Sequence, residues 1–387
     1  MKIISADSHI LEPPDIWKKW MPAKFQERAP KMGKDKMGGD GWSYDGGPTN
    51  PIGQSATAGK ALEDINWLGY TYDKIVQGAF KGPERIKEMN LDGVDIELIY
   101  QPQTTMSYFM KQDPEFQLAG IQGYNNWLIE DFCSADKKRL IGIAQMPNIG
   151  VDGMVAELQR ARKKGHLGCV IATWPSGKPQ LSAEDDTFWA AAQDMNVPVS
   201  IHVALIGQLK MGNADGSWKM AGSASKGMTA LPAVMGDMIL SGVFDRFPKL
   251  QVSMIETGCG WVPYFFEQLD DRYWRNRAQT KCTIKRLPSE YWKTNWSATF
   301  IKDVYGLQNR HAVGVETMLW STDYPHAGND WPYSRKTLKE MVAGIPDHEV
   351  EMIVGGNIRR LYNLNESLLW VYPFDLSSSP IRCCLKF

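Results

Sequence analysis

Eight short runs of β-branched or apolar residues recur along the chain, and most of the segments between them have helical patterning. This alternation is typical of βα units arranged around a parallel sheet. The predicted strands are Ile3 to Ala6, Ile96 to Tyr100, Leu140 to Gln145, Gly168 to Thr173, Val197 to His202, Gln251 to Ile255, Trp296 to Phe300 and Thr317 to Ser321. Eight such units predict an α/β fold of the (β/α)8 TIM barrel type, and no G-x-G-x-x-G fingerprint supports an open doubly wound sheet.

The predicted barrel spans residues 1–365 and is interrupted by a long insertion after its first strand. Residues 21–75 are rich in Gly, Pro, Lys and aromatic residues and lack clear periodicity. Loops that follow barrel strands lie on the catalytic face, so we expect this insertion to act as a lid or an oligomer contact. Residues 366–387 form a C-terminal tail that is apolar but unpatterned.

The charge balance argues against nucleic acid or anionic lipid as a partner. Lys and Arg number 43 and Asp and Glu number 44, with no long run of either sign. We therefore expect a small-molecule substrate. With neither a signal peptide nor an apolar run of membrane-span length, we expect a cytoplasmic protein without a membrane segment. Six scattered cysteines without C-x-x-C spacing indicate free thiols.

Acidic and imidazole side chains occur where four of the predicted strands end, which is where barrel enzymes carry their catalytic groups. Each has an ordinary explanation taken alone: a core histidine, an ion-paired acid or a turn cap. Together they form the mixed nitrogen and oxygen ligand set that suits Zn, Mn or Fe. The residues are Asp7 and His9 with a spacing of two after strand one, His202 in strand five, Glu256 after strand six, and Asp323 and His326 after strand eight.

Six stretches of the chain carry a resemblance to a known family. They are Asp7-x-His9, YNNWLIEDFCSADKKRLIGIAQMP (124–147), VPVSIH (197–202), GVFDRFPKLQVSMIETGCGWVP (242–263), STDYPH (321–326) and GNIRRLYNL (356–364). Over roughly residues 1–364 the chain resembles the amidohydrolase-related (amidohydrolase 2) family of metal-dependent enzymes. That family includes aminocarboxymuconate-semialdehyde decarboxylase and the γ-resorcylate decarboxylases.

The resemblance implies that Asp7, His9, His202 and Asp323 hold one divalent metal ion, with Zn, Mn or Fe as the candidates. Asp323 would also orient or deprotonate a metal-bound water, and no organic cofactor is required. By the same resemblance the chain forms a homo-oligomer, a dimer or larger.

Two features depart from the family pattern. Many members end strand six in a His that acts as acid or base, where this chain has Glu256. The first motif also continues to Glu12, so Glu12, Glu256 and His326 are candidates for a second metal site. One ion is the leading expectation and two are the alternative. Strand four carries no Lys, so a carbamylated-lysine bridge is not available.

The leading functional hypothesis is a hydrolase that acts on a small organic, possibly aromatic, substrate through a metal-activated water. Asp323 would take the proton, and Glu256 or His326 would serve as acid or base. Three alternatives stay open: a dinuclear Fe or Mn non-haem oxygenase, a non-oxidative decarboxylase of an aromatic or enoic acid, and a non-catalytic partner subunit. Substrate contacts are expected from residues that follow the strands, although a core or interface role is equally open for each: Gln101, Trp174, Tyr324 and Trp331.

Overall fold

The computed structural model describes residues 1–202 and 231–364, and eight of its strands form one parallel sheet. Neighbours in this sheet follow chain order, β1-β5-β6-β7-β8-β9-β10-β11. The strands are β1 Ile4–His9, β5 Ile96–Tyr100, β6 Leu140–Gln145, β7 Gly168–Ile171, β8 Val199–His202, β9 Val252–Ile255, β10 Trp296–Phe300 and β11 Met318–Trp320. Three have the predicted bounds, and the other five overlap their predictions.

The sheet closes where the residues after β11 meet β1. The amide of Asp323 donates to the carbonyl of Asp7 at 2.9 Å, and the amide of His9 donates to the carbonyl of Tyr324 at 2.6 Å. Branched side chains from several strands, Ile4, Leu98 and Val170 among them, fill the interior and are fully buried. The (β/α)8 TIM barrel prediction is confirmed.

Helices cover the outside of the barrel, as the alternating pattern predicts. The described α-helices are Ile16–Trp20, Gly82–Asp92, Gln103–Phe109, Pro114–Trp127, Val151–Lys164, Asp186–Asp194, Leu231–Leu240, Val243–Arg246, Val262–Thr280, Pro288–Asn295, Val304–Gln308, Arg310–Val313, Ser334–Met341, Asp347–Glu351 and Asn357–Leu361. The Asp113 carboxylate accepts the Phe116 amide at 3.1 Å and caps the helix that begins at Pro114. Gly165 adopts a φ of 114°, which a residue with a Cβ rarely tolerates, and ends the helix Val151–Lys164.

The first strand runs three residues further than the predicted Ile3 to Ala6, so Asp7 and His9 lie inside it. Its pairing with β5 shifts register between Ser5 and Ser8, which indicates a bulge. The Ser5 hydroxyl donates to the Asp7 carbonyl at 2.9 Å and accepts the Thr322 amide at 2.9 Å. These side-chain hydrogen bonds satisfy backbone groups at the irregular end of the strand, which apolar patterning alone does not predict.

The insertion contains a small antiparallel sheet. Its strands are β2 Lys31–Lys34, β3 Asp40–Ser43 and β4 Asn50–Pro51, in the order β2-β3-β4. A separate apolar cluster joins the insertion to Leu11, just after β1, through side chains that include Ile52 and Tyr72. The insertion therefore packs beside the carboxyl end of β1.

Residue 365 and the predicted tail, 366–387, lie outside the described residues. In the described parts, none of the helices combines the length and the apolar character that crossing a bilayer requires.

Candidate metal centre

The two strand-end histidines and Asp7 converge at the carboxyl end of the barrel. His9 Nε2 lies 3.1 Å from His202 Nε2 and 3.4 Å from Asp7 Oδ1. His202 Nε2 lies 3.8 Å from the same Asp7 oxygen. All three side chains are fully buried. β1 and β8 therefore bring an acid and two imidazoles together, as expected from their places in the sequence.

The segment after β11 adds a second acid and a third imidazole to the same cluster. Asp323 Oδ1 lies 3.5 Å from His9 Nε2 and 3.0 Å from His326 Nδ1. The His326 ring stacks on the His9 ring with centroids 4.2 Å apart. After β9, Glu256 Oε2 reaches to 3.8 Å from His202 Nε2. Two triads of side chains are therefore compatible with a metal ion: Asp7 with His9 and His202, and His9 with Asp323 and His326. Within each triad, the potential ligand atoms all lie within 4.8 Å of one another.

The carboxylate of Asp7, at the centre of this cluster, has no hydrogen-bond donor in the described structure. Both of its oxygens are buried and unpartnered, and Oδ1 of Asp323 has only the His326 ring nitrogen, 3.0 Å away, as a neighbouring donor. Buried carboxylate oxygens are strongly destabilising without a donor or a cation. Unpaired acid oxygens beside two converging imidazoles are what a divalent ion requires, so these residues fit the metal that the resemblance implies.

His9 and His202 are in the neutral form that can bind a metal ion. Burial, together with the neighbouring His326 and His202, holds the pKa of His9 well below its usual range, and burial and His326 lower the pKa of His202 to about 3. Both imidazoles are therefore neutral. His9 Nδ1 lies 3.0 Å from the Gln101 carbonyl, which can only accept, so the ring proton sits on Nδ1 and Nε2 carries the free lone pair.

Burial has the opposite effect on the pKa of two acids in the cluster and raises it. Burial and the charges of Asp323 and Glu256 raise the pKa of Asp7 well above its usual range. Burial, with the charge of Asp323, raises the pKa of Glu256 to about 8. Burial alone would lower the pKa of His326, but the charges of Asp323 and Glu256 outweigh it and raise that pKa. Protons therefore compete with a cation for Asp7 and Glu256.

A buried arginine fixes the backbone that carries the ligands. Arg85 Nε donates to Glu97 Oε2 at 2.5 Å, and its terminal nitrogens lie 3.1 and 3.0 Å from the His9 carbonyl. The same guanidinium donates to the Tyr324 carbonyl at 3.4 Å and stacks over the Tyr324 ring at 4.3 Å. Arg85 thus ties the end of β1 to the segment that carries Asp323.

Glu12 has its own set of contacts. Its backbone carbonyl accepts the Tyr72 hydroxyl at 2.6 Å, and Oε1 is buried without a partner. Burial raises the pKa of Glu12 to about 7, opposed by the Thr105 hydroxyl. Neither metal-compatible triad of the described residues includes Glu12 or Glu256, whereas His326 belongs to the second one.

The residues predicted to contact substrate differ in their surroundings. Gln101 is fully buried, and both side-chain amide atoms lack partners among the described residues. The Tyr324 hydroxyl donates to Glu88, and the indole N–H of Trp331 donates to the Glu88 carbonyl at 3.2 Å. Trp174 is half-buried against the main core. Of the four, Gln101 is the one adjoining the metal cluster with free polar atoms.

Arg85, Glu97 and Tyr100 contribute to the site but are missing from the sequence predictions. Tyr100 ends β5, with its ring centroid 5.9 Å from that of His202. The sequence could have predicted the role of Glu97, because an acid inside the apolar strand IELIY needs a buried cation. The sequence does not indicate that Arg85 is buried, since a basic residue on a surface-patterned helix is ordinarily exposed.

The barrel and its cluster of acids and imidazoles define a TIM-barrel protein with a candidate metal site at its carboxyl face. The chain belongs to the amidohydrolase family, whose model matches residues 80–364.

One curated relative is decarboxylase orsB of Emericella nidulans, 23% identical over 337 residues, which cover 78% of this chain and 93% of the relative. An amidohydrolase from Mycobacterium avium subsp. paratuberculosis K-10 has a similar structure, with a TM-score of 0.74 at 20% identity, covering 93% of this chain and 99% of that one. A dihydroxybenzoic acid decarboxylase from Polaromonas sp. JS666, solved with bound manganese and the inhibitor 2-nitroresorcinol, has a TM-score of 0.63 at 16% identity, covering 96% and 99%.

Proposed function

We propose that this protein is a metal-dependent, non-oxidative decarboxylase of a small aromatic or enoic carboxylic acid. The observation that carries the proposal is the buried cluster in which the unpaired Asp7 oxygens and Asp323 lie beside the neutral His9 and His202. Two of the three relatives are named as decarboxylases, one of them of a dihydroxybenzoic acid, and this favours carbon–carbon cleavage over the hydrolysis expected first.

Asp7, His9, His202 and Asp323 are the proposed ligands of one divalent ion. A bound ion of this kind acts as a Lewis acid that orients a substrate carboxylate and an adjacent hydroxyl. The Gln101 carbonyl keeps His9 in the tautomer that ligation requires. The unpaired side-chain amide of Gln101 is the proposed donor to a substrate oxygen and acceptor from a substrate hydroxyl.

Decarboxylation leaves an electron pair on the carbon that loses CO2, and that carbon must receive a proton. Glu256 is the proposed donor. It lies beside His202, burial raises its pKa above the usual range of a carboxyl, and its side chain is 30% exposed, so solvent can restore the proton after each turnover. The contact between Asp323 Oδ1 and His326 Nδ1, 3.0 Å long, would hold these two side chains in place beside Glu256.

The test is turnover of a panel of ortho-hydroxybenzoic acids by the protein loaded with Zn, Mn or Fe, run in D2O and in 18O-labelled water. Decarboxylation places one deuterium on the vacated carbon and no 18O in the aromatic product. Glu256→Gln should keep its metal content and lose at least about 100-fold in kcat, which is the scale of a general acid contribution. The exposed control Glu340→Gln should behave as the parent.

Hydrolysis is the second candidate, because the same cluster can activate a water. A parallel panel of esters, lactones and amides distinguishes it, since a hydrolysis product gains 18O. Two ions per chain including Fe, with oxygen uptake, would instead identify the dinuclear oxygenase. Turnover of the second panel alone, or oxygen consumption, would reject the decarboxylase proposal. The homo-oligomer stays a prediction, measurable by light scattering.

A further inference from the structure

A cavity of about 740 Å³ opens at the end of the barrel opposite the metal centre. Its walls include residues that precede or begin strands, Leu167 before β7, Pro198 before β8, Gln251 before β9 and Trp296 at the start of β10. The metal-compatible residues lie where strands end. Because the strands are parallel, the two sites occupy opposite faces of the barrel. The volume is in the range of small-molecule sites.

Positive charge surrounds this cavity. Arg162, Lys249, Lys293 and Arg360 line it, and Glu316 is the one acid that does. In residues 1–202 and 231–364, none of the four cations forms an ion pair. Cations on neighbouring surfaces do, as Lys164 does with Glu130 and Arg246 with Asp186.

Two of the four cations are anchored at the backbone and leave other N–H groups free. Arg162 donates to the His166 carbonyl at 3.4 Å, and Arg360 donates to the Glu316 carbonyl at 2.6 Å. Trp296 is 3% exposed, and its indole N–H has no acceptor within the described structure. A buried donor without an acceptor is rare in folded proteins. The wall thus offers neutral and charged donors but hardly any negative charge.

We propose that this cavity binds a small polyanion, a phosphate ester or a polycarboxylate carrying at least two negative charges. Such a ligand would give the unpaired, solvent-exposed cations an anionic partner. The polar lining and the cluster of charges disfavour an apolar ligand. The site is separate from the metal centre in both position and chemistry, so it stands whether or not the proposed function holds.

Isothermal titration calorimetry of the full chain with inorganic phosphate, a sugar bisphosphate and propane-1,2,3-tricarboxylate tests this site. We expect the multiply charged probes to bind more tightly than phosphate and binding to weaken as NaCl is raised. The bisphosphate and tricarboxylate arms distinguish the two sources of negative charge. Lys249→Gln combined with Lys293→Gln should lower the affinity about tenfold or more, because the cavity wall loses two of its four positive charges.

The matched control is Lys336→Gln combined with Lys339→Gln, which removes the same charge from a helix outside the cavity wall. It should leave the affinity within about twofold of the parent. His202→Ala should also bind the polyanion normally, which separates this site from the metal centre. No binding by any of the three probes, or equal losses in the cavity and control variants, would overturn the proposal.

Discussion

His202 is the side chain whose removal tests the ligand set most directly. It is the one member of the Asp7–His9–His202 triad that β1 does not supply, and its Nε2 faces both of the others. A neutral imidazole with a pKa of about 3 binds a cation without first losing a proton. Its neighbours would keep an incomplete ligand set if it were lost.

We predict that His202→Ala lowers metal affinity by about 100-fold or more, so that the purified protein holds far less than one ion per chain. Inductively coupled plasma mass spectrometry measures the content, and circular dichroism checks the fold. His348→Ala, at an exposed position, is the matched control and should keep its metal. Full metal content in the His202 variant would show that the ligand assignment is wrong.

At the scale of elements, the carboxyl ends of β1 and β11 depend on the ion pair between Arg85 and Glu97. Both side chains are almost completely buried. Breaking such a pair by removing one partner typically costs about 3–5 kcal/mol, while replacing both with apolar residues can be nearly neutral. The carbonyl contacts of Arg85 add a second role, because they hold the backbone of His9 and Tyr324.

We predict that Arg85→Met lowers the free energy of unfolding by about 3–5 kcal/mol and that adding Glu97→Leu restores most of this loss. Metal affinity should stay at least about tenfold weaker in both variants, since neither restores the carbonyl contacts. Urea unfolding and calorimetric metal titration measure the two effects. Lys87→Met, which breaks an exposed pair with Glu84, should cost less than about 1 kcal/mol. Recovery of full metal affinity in the double variant would contradict the positioning role.

Asp92 couples the helix Gly82–Asp92 to the start of the helix Ser334–Met341 in a pH-dependent way. Its carboxylate accepts the Ser334 amide at 2.7 Å, but burial raises its pKa from 3.8 to about 6. The folded state therefore binds the proton more tightly than the unfolded state. The associated stability is present below about pH 4 and is lost as the pH rises through about 6.

We predict that Asp92→Asn becomes more stable relative to the parent as the pH rises from 4 to 7, by up to about 3 kcal/mol. The amide keeps an acceptor for Ser334 and cannot become charged. Unfolding free energies measured at pH 4, 5, 6 and 7 give the difference at each point. Asp347→Asn, at an exposed helix start, should show no comparable trend. A difference that is constant with pH would rule out this explanation.

The sequence was most informative where regular patterning and strand ends coincide. Strands such as Ile96–Tyr100 kept their predicted bounds because apolar runs between helices have few alternatives. The position of His202 at a strand end was enough to place it in the cluster. The clamp by Arg85 depends on contacts between residues far apart in the chain, which no local pattern records. The small sheet of the insertion escaped prediction because strands such as KMGK and DGWS are Gly-containing and do not alternate.

At the scale of the whole molecule, the candidate ligands connect parts of the chain that are hundreds of residues apart. Asp7 and His9 come from β1, His202 from β8, and Asp323 from the segment that closes the barrel. An ion bound by all four would join the first strand, the fifth barrel strand and the segment after the last strand. It would also remove the repulsion between Asp7 and Asp323 that burial intensifies.

We predict that metal binding stabilises the entire barrel and that chelation reverses this effect. A free ion concentration about 1,000 times the Kd adds about 4 kcal/mol to the free energy of unfolding, enough to raise the Tm by several degrees. Differential scanning calorimetry before and after dialysis against EDTA, followed by re-addition of Zn or Mn, measures the shift. The Lys336→Gln and Lys339→Gln double variant should shift like the parent, whereas His202→Ala should lose the response. Equal Tm values for the chelated and reloaded parent would mean that these residues do not share an ion. A cation bound by both the first strand and the segment that closes the barrel must stabilise the barrel.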